Sequence, residues 1–131
     1  MSKIQGLNHI TLAVSDLERA VAFYVDGLGL SLAKRWETGA YLEAGTLWLC
    51  LSYDPETRRA PHPDYTHIAF DVSQEDFEAA SARVEAAGGQ AWRNNKSEGD
   101  SFYFLDPDGH KLELHVGTLE SRLAAMEDAA Q

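Results

Sequence analysis

Residues 97–116 read SEGDSFYFLDPDGHKLELHV. An aromatic run, Phe102-Tyr103-Phe104, enters the turn Asp106-Pro107-Asp108-Gly109, and Lys111 to Val116 leaves it. Pro after Asp favours turn entry and Gly109 takes a positive φ at no steric cost, so the stretch is a β-hairpin. Side chains alternate across a strand, which puts Leu112 and Leu114 on one face and Glu113 and His115 on the other. The sheet packs on its leucine face and encloses something polar on the opposite one.

Working outward, the same grammar occurs twice. Leu7 to Val14 alternates as a strand, and Ser15 with Glu18 forms a capping box for a helix carrying Leu17, Val21, Phe23 and Tyr24. Gly27 and Gly29 end that helix, and Leu30–Trp36, Ala40–Ala44 and Thr46–Ser52 follow as short strands. Residues 54–64 (DPETRRAPHPD) hold three of the four prolines and no hydrophobic period, and read as a linker. Tyr65 to Val72 then restarts the pattern as a strand. Ser73 and Asp76 open a second helix, with Phe77, Ala80 and Val84 on one face, which stops at Gly88-Gly89. Strands near Gln90–Arg93, Ser101–Leu105 and Lys111–Val116 complete it. Both halves are β-α-β-β-β, and Asn8-His9-Ile10 matches Thr66-His67-Ile68, so an internal duplication is the simplest account. The expectation is one α+β domain over residues 1–131. Its parts are a βαβββ module at 5–53, the linker 54–64, a second module at 65–117, and a C-terminal segment at 118–131. Leu119 to Met126 reads as a short amphipathic helix whose acidic, alanine-rich end frays.

Composition narrows the function. At 131 residues the chain can bury a real core, and 44% hydrophobic with 24% charged residues is ordinary for a globular protein. A net charge of −10 argues against nucleic acid, which needs a basic surface. No apolar run approaches a membrane span, and the N-terminus MSKIQGLNH lacks a signal-peptide core. One cysteine, Cys50, excludes an internal disulfide framework and fits a reducing compartment, so the expected location is cytoplasmic. Cys50 lies inside Leu47-Trp48-Leu49-Cys50-Leu51 and reads as a buried, inert thiol.

A lone strand histidine is more often packed or exposed than ligating. Two histidines at equivalent places of a duplicated unit, His9 and His67, change that balance, and Glu113 adds a carboxylate. Two imidazoles and one carboxylate bind a divalent first-row metal and leave positions open for substrate. Structural zinc usually fills all four positions with protein ligands. His115, His110 and His62 are competing candidates of lower rank. Residues 93–101 (RNNKSEGDS) read as a solvated hairpin loop on composition alone. The alternative is a cation site made by Ser97, Glu98 and backbone carbonyls, with Arg93, Lys96 and Tyr103 holding an anion beside it. In an acidic chain, Arg93, Lys96 and Arg122 supply the local positive field an anion needs.

The segments GLNHITLAV, YLEAGTLWLCLS, DYTHIAF, SEGDSFYFLDPDGHKLELHVG and LESRLAA together resemble the vicinal oxygen chelate superfamily. Within it they are similar to the fosfomycin-resistance glutathione transferases of the FosA type. The resemblance covers nearly the whole chain, as far as about Ala125. It implies paired βαβββ modules curled around a metal, in a homodimer with shared active sites. Mn²⁺ would be held by His9 of one subunit and His67 and Glu113 of the other. The implied reaction is opening of the epoxide of fosfomycin by glutathione thiolate, giving antibiotic resistance. By the same resemblance, Thr11 sits by the oxygen that becomes the hydroxyl, Arg122 joins it in the catalytic set, and Ser97, Tyr103 and Arg122 hold the phosphonate. K⁺ is implied around Asn95, Ser97, Glu98, Gly99 and Ser101, and Tyr41 and Trp48 line the thiol pocket. Arg93 replaces the lysine common in that family, a planar fork for a point charge. An epoxide-hydrolase branch places a glutamate base in the loop that here reads Glu37-Thr38-Gly39-Ala40, with Gly39 at the corresponding place. Transfer of another thiol, such as bacillithiol or cysteine, is a close alternative. Drug sequestration without turnover, and ring-cleaving iron dioxygenase chemistry, are the others.

Overall fold

In the computed structural model, which describes residues 2–130, two four-stranded mixed sheets carry the molecule. The first contains β1 (His9–Val14), β2 (Ser31–Trp36), β3 (Gly39–Ala44) and β4 (Leu47–Tyr53), in the order β1-β4-β3-β2. The second contains β5 (Ile68–Asp71), β6 (Gln90–Arg93), β7 (Ser101–Leu105) and β8 (Lys111–His115), in the order β5-β8-β7-β6. In each, the first and last strands pair in parallel and the rest antiparallel. Neither sheet closes on itself. Helices α1 (Leu17–Ala22) and α2 (Phe77–Ala86) are the crossovers, and α3 (Leu119–Ala130) follows the second sheet. This is the α+β arrangement of two βαβββ modules that the sequence pattern predicts.

The two sheets present their leucine faces to one core. Leu12, Val14, Leu42, Leu49 and Leu51 meet Phe104, Leu112 and Leu114, with Leu17, Val21, Phe23 and Tyr24 from the first helical segment filling between. Fully burying each such side chain contributes about 1.5–3 kcal/mol. A π-helical turn, Phe23–Gly27, continues α1, and Leu28 N–H donates to Phe23 C=O at 2.9 Å. The extra residue in the turn buries both adjacent aromatics, Phe23 and Tyr24.

The Asp106–His110 turn clasps the two modules. Asp106 N–H donates to His110 C=O at 3.1 Å and Gly109, at φ 91°, closes the hairpin. A Cβ on Gly109 would lie 2.7 Å from the Ala60 carbonyl carbon, so the residue also lets residues 60–61 cross the turn. Asp108, fully buried, accepts from the backbone N–H of Ser15 at 3.1 Å and from its hydroxyl. Tyr24 donates to Asp106 Oδ2 at 2.7 Å, and His110 Nε2 donates to Ala13 C=O at 2.8 Å.

Several local expectations are corrected. The cap of α1 is Asp16, whose carboxylate accepts from Arg19 N–H at 3.0 Å; Ser15 is taken by Asp108 instead. The strand expected at Tyr65–Val72 shrinks to Ile68–Asp71, because Asp64, His62 and His67 satisfy the preceding backbone locally. Residues 54–64 are irregular but tied down: Arg58 donates to His110 Nδ1 at 2.7 Å and Lys111 Nζ to Asp64 C=O at 2.7 Å. Helix α3 runs past Met126 to Ala130, as alanine's high helix propensity allows.

Candidate metal and substrate site

Strand register lays two matching rows of side chains across the open faces of the sheets. In the second sheet Ala69 pairs with Glu113, Glu113 with Tyr103, and Tyr103 with Arg93. In the first, Thr11 pairs with Cys50, Cys50 with Tyr41, and Tyr41 with Lys34. A bulge precedes Lys34 and Arg93 alike, so the internal duplication extends to local irregularities. His9 precedes its row by two residues, as His67 does.

His67 stands beside Glu113. Its Nδ1 lies 2.7 Å from Tyr65 C=O, an acceptor only, so Nδ1 carries the proton and Nε2 keeps its lone pair. That lone pair faces Glu113 Oε1 at 2.9 Å. Glu113 is buried, with 4% of its surface exposed. Two electron-pair donors opposed at this distance call for a positive charge between or beside them, a proton or a metal ion. An imidazole nitrogen and a carboxylate oxygen suit a divalent first-row metal, so this pair fits two positions of a metal ligand set.

His9 lies on the other sheet. Its ring packs 4.4 Å from Trp48, and Nδ1 donates to Asn8 Oδ1 at 2.7 Å, again leaving Nε2 free. Thr11, Trp36, Tyr41, Trp48 and Cys50 line with it a hollow of about 280 Å³. Tyr41 meets Trp48 edge-on at 5.2 Å and Trp36 at 4.7 Å. Among the described residues, no three His, Cys, Asp or Glu side chains of one chain form a metal-holding cluster. Within one chain His9 and Thr11 line the hollow on the first sheet, while His67 and Glu113 meet on the second.

Around the His67–Glu113 pair the walls are aromatic and cationic. Trp92 lies 5.6 Å from His67 and 5.2 Å from Tyr103, and Tyr65 lies 4.6 Å from His67. The Arg93 guanidinium sits 4.6 Å above Tyr65 and 5.8 Å from Tyr103, a cation–π arrangement that holds the charge at this face. Partial desolvation and the neighbouring Tyr103 hold the Tyr65 phenol above its ordinary range, so it remains a hydrogen-bond donor at neutral pH. Lys96 is exposed in the adjoining loop.

That loop is built on Asn95. Its side chain donates to Gly99 C=O at 2.8 Å and accepts from Ser97 N–H and Oγ at 3.0 Å each. Gly99, at φ 75°, packs so closely that a Cβ there would collide with Val116 C=O. Glu98 Oε1 accepts from Arg122 Nε of α3 at 3.2 Å. Ser101 Oγ reaches Glu113 Oε2 at 2.5 Å and His115 Nδ1 at 2.6 Å. The loop and the carboxylate thus share a hydroxyl. Tyr65 and Trp92 had escaped sequence reasoning: alternation from His67 already put Tyr65 on the same face, while Trp92 lies in the bulge between Ala91 and Arg93, where alternation fails.

Fold, duplication and paired histidines define the class: the chain belongs to the Glyoxalase/Bleomycin resistance protein/Dioxygenase superfamily, which it matches over residues 6–114. Its similarities are narrower than that class. Over 127 residues it is 61% identical to "Glutathione transferase FosA" of Serratia marcescens, covering 95% of this chain and 90% of that one. It is 39% identical over 132 residues to "Metallothiol transferase FosB" of Shouchella clausii, covering 97% and 90%. Among solved structures, a mutant of the fosfomycin resistance protein FosX from Listeria monocytogenes, complexed with Mn(II) and 1S,2S-dihydroxypropylphosphonic acid, superposes with a TM-score of 0.82. It shares 32% identity, covering 94% of this chain and 98% of that one.

Proposed function

We propose that the protein is a Mn²⁺-dependent, K⁺-activated glutathione transferase that opens the epoxide of fosfomycin and so confers resistance to it. The carrying observation is His67 Nε2 facing Glu113 Oε1 at 2.9 Å in a chain 61% identical to a glutathione transferase FosA. His9 of one subunit, with His67 and Glu113 of its partner in a homodimer, would hold the metal. Exposed Trp36, Tyr41, Trp48 and Tyr65 on the open faces support burial against a second copy.

Bound there, Mn²⁺ would supply Lewis acidity to the epoxide oxygen. The chain's own groups do the rest. Arg93, Lys96, Ser97, Tyr103 and Arg122 bind and orient the phosphonate, whose charge the acidic protein would otherwise repel. Asn95, Ser97, Glu98, Gly99 and Ser101 would hold K⁺, which would add to that field. Tyr41 and Trp48 wall the thiol's approach. Glutathione thiolate forms a C–S bond as the carbon–oxygen bond breaks, and the departing electron pair stays on oxygen. Thr11 hydrogen-bonds that oxygen, which takes a proton to become the hydroxyl.

Hydrolysis requires a base to activate water. A Cβ on Gly39 would lie 2.5 Å from the Trp36 ring, so a glutamate at that place has to displace the indole. This favours thiol addition. Among the described residues no helix is long and apolar enough to cross a membrane. The test is product identification by NMR and mass spectrometry from fosfomycin and Mn²⁺-loaded protein. Glutathione, bacillithiol, cysteine or water is offered, with and without K⁺. A glutathione adduct formed faster with K⁺ is expected; diol, or a preference for another thiol, overturns the assignment.

A further inference from the structure

We infer that His115 is a positioning residue for the Glu113 carboxylate, acting through the hydroxyl of Ser101. The inference rests on the reading of Glu113 as a metal ligand. It concerns groups that this reading leaves without that role: the imidazole of His115, and Ser101 as a donor to Glu113.

Proton counting fixes the direction of the chain. Glu113 Oε2 lies 2.5 Å from Ser101 Oγ, and an ionised carboxylate only accepts, so the single hydroxyl proton of Ser101 points at Glu113. Ser101 Oγ then has only lone pairs for His115 Nδ1 at 2.6 Å, so that nitrogen is the donor. The opposite ring nitrogen has Arg122 Nη2, a donor, as its nearer neighbour at 3.4 Å, with Glu98 Oε1 farther at 3.6 Å. Arg122 is itself held by Glu98, which also accepts from Ser121 at 3.4 Å. The chain therefore runs from Arg122 to His115 to Ser101 to Glu113.

A serine hydroxyl rotates freely unless its lone pairs are engaged. His115 occupies one of them and leaves the O–H directed at Oε2, which pins the carboxylate and leaves Oε1 facing His67. The same strand pairing that sets Tyr103 opposite Glu113 sets Ser101 opposite His115, so backbone register holds the relay. His115 has 15% of its side chain exposed, and Oε2 is 3.4 Å from its Nδ1. Its nearer partner is the hydroxyl, at 2.6 Å. Partners of this kind typically alter metal affinity by about 10–100-fold when removed.

The test is the Mn²⁺ dissociation constant of the purified full chain, read from the EPR signal of free Mn²⁺, with thermal melting to verify folding. His115→Ala is expected to weaken binding at least about tenfold. His115→Asn, whose amide N–H replaces Nδ1–H, is expected to restore most of that loss. In a Ser101→Ala background, His115→Ala is expected to add nothing, because the relay is already cut. Wild-type affinity in His115→Ala overturns the inference while leaving the metal site standing. So does a failure of His115→Asn to rescue, or full additivity with Ser101→Ala. A wild-type protein that binds no Mn²⁺ overturns the metal site and the inference together.

Discussion

Cys50 and Glu113 occupy equivalent positions in the two modules. Cys50 pairs with Thr11 and Tyr41, as Glu113 pairs with Ala69 and Tyr103. The duplicated unit has kept its histidine twice and carries its carboxylate once. On the proposed ligand set this asymmetry would give one metal per chain, with module 1 contributing His9 alone.

The first prediction follows from that asymmetry. Cys50 is buried, and its thiol is not needed by the ligand set, so Cys50→Ser should keep one Mn²⁺ per chain. His67→Ala should abolish both Mn²⁺ binding and fosfomycin turnover while melting near the wild-type temperature. Metal titration with calorimetry checks both; stoichiometric binding by His67→Ala would contradict the site.

Arg93 tests the anion side. Its guanidinium is exposed and leans on Tyr65, so Arg93→Ala should cost only about 0.5–1 kcal/mol of stability. Losing a charge-assisted contact of about 1.5–3 kcal/mol should raise the KM for fosfomycin roughly 10–150-fold. Steady-state kinetics distinguishes this from a lower kcat at unchanged KM.

The extent to which sequence revealed these features follows from the range of each signal. The strands, the duplication and the turn at Asp106–Gly109 rest on local alternation and glycine or proline chemistry, which short windows carry. His9, His67 and Glu113 were visible because duplication singled out the histidines and alternation gave Glu113 a polar face. The clasp was not: Ser15 read as a helix cap because its partner Asp108 lies far along the chain. The Arg122–His115–Ser101–Glu113 relay joins three elements whose register emerges only on folding. His115 therefore read as a rival ligand, although its shared face with Glu113 was legible.

Asp106 gives a pH prediction. Burial raises its pKa above the ordinary aspartate value, against the lowering influence of His110 and the donor Tyr24. A carboxyl raised on folding binds its proton more tightly in the native state. Its contribution is fully present below the unfolded value, about 3.9, and is lost as pH rises through the folded one. Asp106→Asn does not titrate. The substitution should therefore cost most at low pH and less at pH 7, as urea unfolding across pH 3–7 will show. A cost that grows with pH would contradict this.

The most direct test of the shared site mixes His9→Ala with Glu113→Ala protein under conditions of subunit exchange, with Mn²⁺, glutathione and fosfomycin present. Each variant alone should be inactive. In a mixed dimer one site loses both contributions and the other is intact, so random exchange should restore about one quarter of wild-type activity. Demonstrated mixed dimers with no recovered activity would contradict a metal site built from His9 of one subunit and His67 and Glu113 of the other.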